Sequence, residues 1–267
     1  MELARVKINC ERKIMLELFE EMIVEKFKKY VSGYDMDDEN ISRKYLHSLR
    51  VMDFAKQIAI SEDLSEHDIK VATVIGILHD YARFEQWKLY GTYSDVDSID
   101  HGDLGVSLLF DKGEIDNFYK DENDFNKIKL AIKYHNKISV PEDIVCDERV
   151  MCNIARDADK LDIFHLLIEN KSLFMEDAAA ISKEVRECFF EDKMINYKDI
   201  KSKNDKIVLS LAMFYDINFT YSYKHIIDTK ILDGLYEHVE DKERFKEYFD
   251  HLKKVIDESA GLYNNLR

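Results

Sequence analysis

A histidine and an aspartate stand side by side in this chain, His79-Asp80, directly after the apolar run at residues 71–78. Burying an imidazole and a carboxylate costs free energy unless both groups find partners. A divalent cation satisfies both at once, because neutral imidazole nitrogens and carboxylate oxygens are good ligands for such ions. Taken alone, however, the pair is better explained as a buried hydrogen bond between the two side chains at a helix end.

Side chains of the same two types recur where other helices are predicted. In chain order they are His47, His101, His135 and Asp159. His47 lies on the polar side of a predicted amphipathic helix, His101 begins one helix, and His135 ends another. Asp159 belongs to the acidic segment RDADKLD, which otherwise has the pattern of a buried helix. The set as a whole, rather than any single member, indicates a metal centre.

In this order, His47, His79-Asp80 and Asp159 resemble the H…HD…D pattern that defines the HD superfamily of metal-dependent phosphohydrolases. The resemblance covers roughly residues 40–170. The segments that show it are HSLRV, ILHDYARFEQW, SIDHGDLG, IKYHNK and RDADKLD. Each segment alone is a weak signal, whereas the full set in one order is a strong one.

The resemblance implies a particular arrangement of ligands. The residues implied for one metal ion are His47, His79, Asp80 and Asp159, and those implied for a second are His101 and His135. Asp80 is expected to bridge the two. One or two divalent ions are therefore expected as cofactors, and the ligand types leave Mn, Mg, Fe, Co, Ni and Zn open.

Asp157 and Asp162 are alternatives to Asp159 for the last position of the pattern. The position directly before Lys160-Leu161-Asp162 matches the family best, so Asp159 is preferred. Asp157 and Asp162 are then expected to cap the helix or to support the ligands. Asp162, for example, could orient a ligand histidine.

The resemblance also implies hydrolysis of a phosphate ester or nucleotide through a metal-activated water. A divalent cation suits this chemistry because it neutralises phosphate charge and lowers the pKa of a bound water. The predicted catalytic residues are Asp80, Arg83 and Lys137. Arg83 follows His79 by four residues, so on one helix the two would share a face, and a guanidinium there could grip a phosphate. An ion pair between Arg83 and Glu85 or another acid is an equal alternative.

Lys137 and Lys160 stand close in sequence to predicted ligands. Either ammonium could hold a phosphate oxygen as a point charge, although Lys160 is better explained as a partner of nearby acids. Because the sequence does not name the substrate, a small-molecule phosphate ester and a nucleotide are both retained.

Two other functions stay open at this stage. Some HD-fold oxygenases use the same order of six ligands around a pair of iron ions, so the ligand set does not exclude oxygen chemistry. A non-catalytic nucleotide-binding or regulatory module is the other alternative. It is disfavoured because no predicted ligand is missing.

The elements that must position these residues are helices, since apolar residues recur with a 3.6-residue period. Helices are predicted at residues 12–31, 41–60, 101–110, 125–135 and 142–164, and another begins after Ser65 and runs through residue 87. Ser65 and Asp68 resemble a capping box at its start. Residues 217–223 are a weak candidate for a strand.

The polar segment at residues 90–100 reads as a loop. It is interpreted as a lid or specificity segment, although its acids, Asp95, Asp97 and Asp100, could simply be solvated. The predicted fold class is mainly α, an HD-domain-like helical bundle with additional C-terminal helices. The predicted division is an N-terminal helical segment at 1–40, a metal-binding core at 41–170, and a C-terminal helical extension at 171–267 that packs on the core.

Composition narrows the classes of partner. The 267 residues carry a net charge of −15 without a dense basic block, so nucleic acid is not an expected partner. No apolar run approaches about 18 residues, so no membrane span is expected. The four cysteines form no CxxC pair and no secretion signal is visible, which favours a cytoplasmic protein with reduced thiols. A homo-oligomer is left open.

Overall fold

The computed structural model describes residues 2–264, with side chains described for residues 12–171 and 174–261. The regular structure in this part is helical and includes no strand, which confirms the predicted mainly-α class. The chain divides into two compact units, Met1–Asp159 and Lys160–Arg267. The first helix thus belongs to the first unit, and the predicted division at residues 40 and 170 stays a prediction. No helix of the described residues has the length and apolar character needed to cross a bilayer.

The described helices of the first unit include those that carry or precede the predicted ligands. They are α1 (Glu2–Val31), α2 (Glu39–Ser61), α3 (Glu66–Leu78), α4 (Arg83–Tyr90), α5 (His101–Val106), α6 (Phe125–Tyr134) and the first part of α7 (Cys146–Glu169). A π-helical turn (Ser107–Asp111) continues α5, and two short 3₁₀ turns precede α6. The helices predicted near residues 12–31, 41–60 and 125–135 are confirmed.

Helix α3 is the centre of the first unit, as its apolar composition predicts. Ser65 caps its start by accepting a hydrogen bond from the Asp68 backbone at 3.0 Å. From Val71 onward every side chain of α3 is buried. Gly76 allows α2 to approach closely, because a Cβ at this position would lie 2.7 Å from the Met52 Cα and 2.9 Å from the Val51 carbonyl oxygen.

The prediction of one helix through residue 87 is wrong, since α3 ends at Leu78 and α4 begins at Arg83. Residues 79–82 form turns in which the Tyr81 amide donates to the Leu78 carbonyl and the Arg83 amide to that of Asp80. The imidazole of His79 donates from Nδ1 to the Gly76 carbonyl oxygen at 2.7 Å. This bond satisfies a carbonyl that a continuing helix would pair with a backbone amide. Arg83 therefore does not share a helix face with His79.

Helix α7 begins at Cys146 rather than at residue 142, as predicted after Pro141. The guanidinium of Arg149 donates to the carbonyl oxygens of Pro141 and Ile144, which fixes the preceding segment as turns. The helix then runs to Glu169, five residues beyond the predicted end at Phe164.

Arg156, also on α7, holds the irregular segment that follows α6. Its buried guanidinium donates to four backbone carbonyl oxygens, and its side chain is among the largest that are fully buried. The acceptors are Tyr134 at 2.6 Å, His135 at 3.4 Å, Lys137 at 2.7 Å and Ile138 at 3.2 Å. Buried carbonyl groups need such partners, so this single side chain fixes the backbone around His135.

The second unit contains the end of α7 and five further helices. These are α8 (Lys183–Phe190), α9 (Lys203–Ala212), α10 (Thr220–Asp228), α11 (Ile231–His238) and α12 (Lys242–Asn264). The strand suggested at residues 217–223 is wrong, because α10 begins within it. The Tyr223 hydroxyl donates to the Ile217 carbonyl oxygen at 2.9 Å, so the segment folds back on itself instead of pairing with a strand.

Candidate metal centre

The six predicted ligands come together within the first unit, although they lie on five different parts of the chain. In chain order they lie inside α2 (His47), after α3 (His79 and Asp80), at the start of α5 (His101), after α6 (His135) and on α7 (Asp159). Five are buried, and the side chain of Asp159 is 17% exposed. Their assignment as ligands stays a prediction.

One oxygen of Asp80 faces the first group of donors. The Oδ2 atom lies 3.4 Å from His47 Nε2 and 3.5 Å from His79 Nε2. Asp159 closes this group, because its Oδ1 atom lies 3.2 Å from His47 Nε2 and 3.6 Å from His79 Nε2. The two imidazole nitrogens are 3.1 Å apart. Two imidazoles and two carboxylates therefore point their donor atoms at one small volume.

The other oxygen of Asp80 faces the second group. The Oδ1 atom lies 3.3 Å from His101 Nε2 and 3.6 Å from His135 Nε2. These two nitrogens are 2.9 Å apart. Asp80 thus stands between two sets of histidines with one oxygen toward each, as a bridging carboxylate requires.

Two of the histidines are oriented by the same kind of local hydrogen bond. His135 Nδ1 lies 2.7 Å from the Ile132 carbonyl oxygen, three residues earlier at the end of α6. His79 makes the equivalent bond to Gly76 at the end of α3. A carbonyl oxygen only accepts, so Nδ1 bears the proton in both rings, and in the neutral form Nε2 has a free lone pair. Burial lowers the pKa of His79, which favours this neutral form.

His101 reaches the same state through a side chain. Its Nδ1 atom lies 2.6 Å from Oδ2 of Asp95 and donates a hydrogen bond to this carboxylate. Burial lowers the pKa of His101 to about 4 despite this hydrogen bond, so the ring is neutral near pH 7. His101 Nε2 then presents a lone pair toward His135 Nε2 at 2.9 Å. A cation bound by both nitrogens would satisfy them.

The two carboxylates are anionic. Burial alone would raise the pKa of Asp80, but the Lys44 ammonium, 2.6 Å from its Oδ2, and the neighbouring histidines hold that pKa well below its usual range. Desolvation likewise raises the pKa of Asp159, but the contacts with His47 and His79 together outweigh it and hold that pKa well below its usual range. Neutral imidazoles combined with ionised carboxylates are a donor set that fits divalent transition metals.

Arg83 contacts two acids, neither of which is Glu85. Its Nε atom lies 3.4 Å from Asp80 Oδ1, and its Nη1 atom lies 2.9 Å from Asp95 Oδ1. The same Nη1 donates to the Tyr93 carbonyl oxygen at 2.6 Å. Arg83 therefore lies beside the centre, as predicted, but it reaches there from the start of α4.

The two lysines differ in their surroundings. Lys137 forms ion pairs with Asp100 and, at 3.2 Å, with Asp103, and about a quarter of its side chain is exposed. Lys160 lies 2.6 Å from Asp216 within the second unit, the ion-pair role preferred for it. Asp157 and Asp162 are fully buried on α7.

Lys44 and Asp95 were not among the predicted residues. Lys44 precedes His47 by three residues on α2, and this spacing places both on one helix face, a signal that could have identified it. Asp95 gave no such signal, because a loop carboxylate six residues before a histidine has no fixed direction. The structure shows it hydrogen bonded to His101, Arg83, Gln86 and Asn136.

A family model described as HD domain matches residues 45–196, which is more than half of the chain. No curated protein matches the chain, and neither does a solved structure. The matched residues include the candidate centre from His47 to Asp159.

Proposed function

Because this chain belongs to the HD superfamily of metal-dependent phosphohydrolases, we propose that it hydrolyses a phosphate ester or a nucleotide at the centre around Asp80. The observation that carries the proposal is the placement of the two Asp80 oxygens, one toward His47 and His79 and the other toward His101 and His135. Such a bridged pair of sites suits a reaction in which two cations hold one phosphoryl group.

The residues present fit one or two divalent ions. Those that would hold one ion are His47, His79, Asp80 and Asp159, and those that would hold a second are Asp80, His101 and His135. Bound ions would neutralise phosphate charge and lower the pKa of a bound water toward neutrality. Mn, Mg, Fe, Co, Ni and Zn all remain candidates, with the imidazole-rich donor set favouring the transition metals.

The protein's own cations would bind the phosphate. Among the described residues, the hydrogen bonds of Arg83 use Nε and Nη1, which leaves Nη2 for a substrate oxygen. Lys44 lies against Asp80, and 19% of the Lys44 side chain is exposed. Lys44 therefore borders the centre on the side that solvent reaches. Lys137 keeps its predicted role as a further phosphate contact near His135.

The test uses the full chain loaded with each metal in turn. Turnover would be measured with nitrophenyl phosphate, its diester and a panel of nucleotides. Asp80→Asn is expected to reduce turnover more than about a hundredfold, beyond the loss typical of a ligand's supporting partner, and to lower metal content. Asp97→Asn is the matched control, because Asp97 is an exposed acid whose side chain contacts Ser94 in the same loop.

Three results would contradict the proposal. Unchanged turnover in Asp80→Asn would place the reaction elsewhere. Stoichiometric iron with oxygen consumption and no hydrolysis would favour the di-iron oxygenase alternative. Metal binding without turnover of any substrate would favour a regulatory module.

A further inference from the structure

At the candidate centre, the loop at residues 91–100 contacts the predicted ligand His101 through one carboxylate, Asp95. Its Oδ2 atom accepts from His101 Nδ1 at 2.6 Å and from Asn136 Nδ2 at 3.1 Å. Its Oδ1 atom accepts from Arg83 Nη1 at 2.9 Å and from Gln86 Nε2 at 3.0 Å. Four donors from α4, α5 and the end of α6 thus converge on one side chain.

Further hydrogen bonds hold the rest of the loop in place and thereby fix the position of Asp95. Gln86 is completely buried and also donates to the Ser98 hydroxyl at 2.9 Å and to the Ile99 carbonyl oxygen at 3.0 Å. Arg83 donates to the Tyr93 carbonyl oxygen on the other side. The segment that reads as a solvated loop in the sequence is therefore tied to α4 at three points around Asp95.

Both oxygens of Asp95 lie against donors from neighbouring elements. Arg83 and Gln86 donate to Oδ1, and Asn136 donates to Oδ2. Because both oxygens accept, the proton in the 2.6 Å hydrogen bond with His101 lies on the imidazole.

His101 needs this partner for a reason of position. His79 and His135 follow helices, so each finds a backbone carbonyl three residues earlier to accept its Nδ1 proton. His101 is the first residue of α5 and has no preceding helical turn. Its ring must be oriented by a group from elsewhere, and a carboxylate does this well because it also makes the imidazole a stronger ligand.

We propose that Asp95 is a positioning residue that fixes the tautomer and direction of His101, and thereby completes the second of the two metal sites. The inference rests on the proposed metal centre but not on the reaction that occurs there. The inference concerns one site selectively, because Asp95 hydrogen bonds to His101, which belongs to the half formed by Asp80, His101 and His135. In the half formed by His47, His79 and Asp159, the Gly76 carbonyl oxygen orients His79 instead.

The experiment measures metal binding by the full chain, without a substrate. Co²⁺ would be titrated into metal-free protein and followed by visible absorption and by elemental analysis. The native chain should bind two ions. Asp95→Ala should weaken binding of one ion by about tenfold to a hundredfold, the usual effect of removing a ligand's hydrogen-bond partner, and change the other less than about twofold.

Two further variants separate positioning from a general effect on folding. Asp95→Asn keeps an oxygen that accepts the Nδ1 proton, so it should retain more of the weakened affinity than Asp95→Ala. Asp97→Asn, in the same loop, should bind both ions as the native chain does. Thermal unfolding of the metal-free proteins shows whether each variant is folded.

Three outcomes would overturn the inference: native protein that binds fewer than two ions, unchanged binding in Asp95→Ala, or an equal loss of both ions in that variant. The last would mean that Asp95 serves the fold as a whole. A native chain that binds two ions and hydrolyses no substrate would contradict the proposed function and leave the role of Asp95 standing.

Discussion

At the scale of single residues, Lys44 raises the question of what a cation does beside predicted metal ligands. Its ammonium lies 2.6 Å from Asp80 Oδ2 and 5.6 Å from the centre of the Tyr93 ring. An ammonium on a flexible stem can contact the carboxylate and an anionic substrate in turn. A contact with a phosphate oxygen and a purely structural ion pair with Asp80 predict different effects when the ammonium is removed.

We expect Lys44→Met to lower kcat/KM for a phosphate ester by about tenfold to a hundredfold, because a hydrogen bond to a charged group contributes about 1.5–3 kcal/mol. The loss should appear mainly in KM, with metal content unchanged. Lys70→Met is the matched control, since Lys70 is similarly part-buried and pairs with Glu66 on α3 at 2.6 Å. A parallel loss of metal would show instead that Lys44 serves Asp80.

At the scale of elements, the ends of helices set the direction of the ligands, and the spacing of helices sets their distance. α2 and α3 meet where Gly76 has no side chain, and His47 and His79 extend from these two helices with their Nε2 atoms 3.1 Å apart. The close approach of the helices is therefore tied to the geometry of the first group of donors.

Gly76→Ala should destabilise the protein by about 1–3 kcal/mol, the usual cost of overpacking. The added Cβ would meet backbone atoms of Met52 and Val51, which cannot rotate away. Urea unfolding measures this cost, and metal titration should show weaker binding as the helices separate. Gly261→Ala on α12 is the control, because no atom of the described residues lies within 4 Å of its Cβ position. It should be neutral or stabilising by up to about 1 kcal/mol, and an equal loss in both variants would contradict the explanation.

The sequence predicted the helices better than it predicted their ends. Periodicity located α2 and α6, each of which buries an apolar face, and it located α1, of which Ile23, Phe27 and Val31 are buried. It missed the break after Leu78, since apolar residues resume at Tyr81 and Ala82 and the break depends on the His79 imidazole bonding to Gly76. It also suggested a strand at residues 217–223, where the alternating pattern is too short to distinguish a strand from the start of a helix.

The candidate centre was likewise predicted only in part from the sequence. The order of histidines and aspartates selects the six residues that the structure brings together, but it contains no information about side chains that reach them from other elements. Asp95 is an example, because its four partners depend on how the loop folds against α4. Such contacts are set by tertiary structure, so a local sequence pattern does not predict them.

At the scale of the whole molecule, metal binding should be linked to the stability of one unit. All groups of three candidate ligands among the described residues lie in Met1–Asp159. A ligand that binds only the folded state stabilises it, by about 2.7 kcal/mol when its free concentration is a hundred times its Kd. The single tryptophan of the chain, Trp87, lies in the same unit and can report its unfolding.

Urea unfolding followed by Trp87 fluorescence should therefore shift to higher urea when a saturating divalent metal is added. A chelator should reverse the shift, and Asp159→Asn should reduce it because one predicted ligand is weakened. Na⁺ at equal ionic strength is the control for charge screening, which also matters for a chain of net charge −15. An equal shift with Na⁺, or in Asp159→Asn, would contradict specific binding.

Arg156 gives this protein a cation of another kind next to the candidate centre. Four backbone oxygens from residues 134, 135, 137 and 138 surround its guanidinium, much as oxygen ligands surround a bound ion. This cation is covalently attached, so a chelator cannot remove it. The backbone that presents His135 therefore has a permanent charge to organise it, whereas the ions proposed for the centre must be acquired from solution and can be lost. Loss of the metal ions would then inactivate the site, while the segment that carries His135 would stay folded.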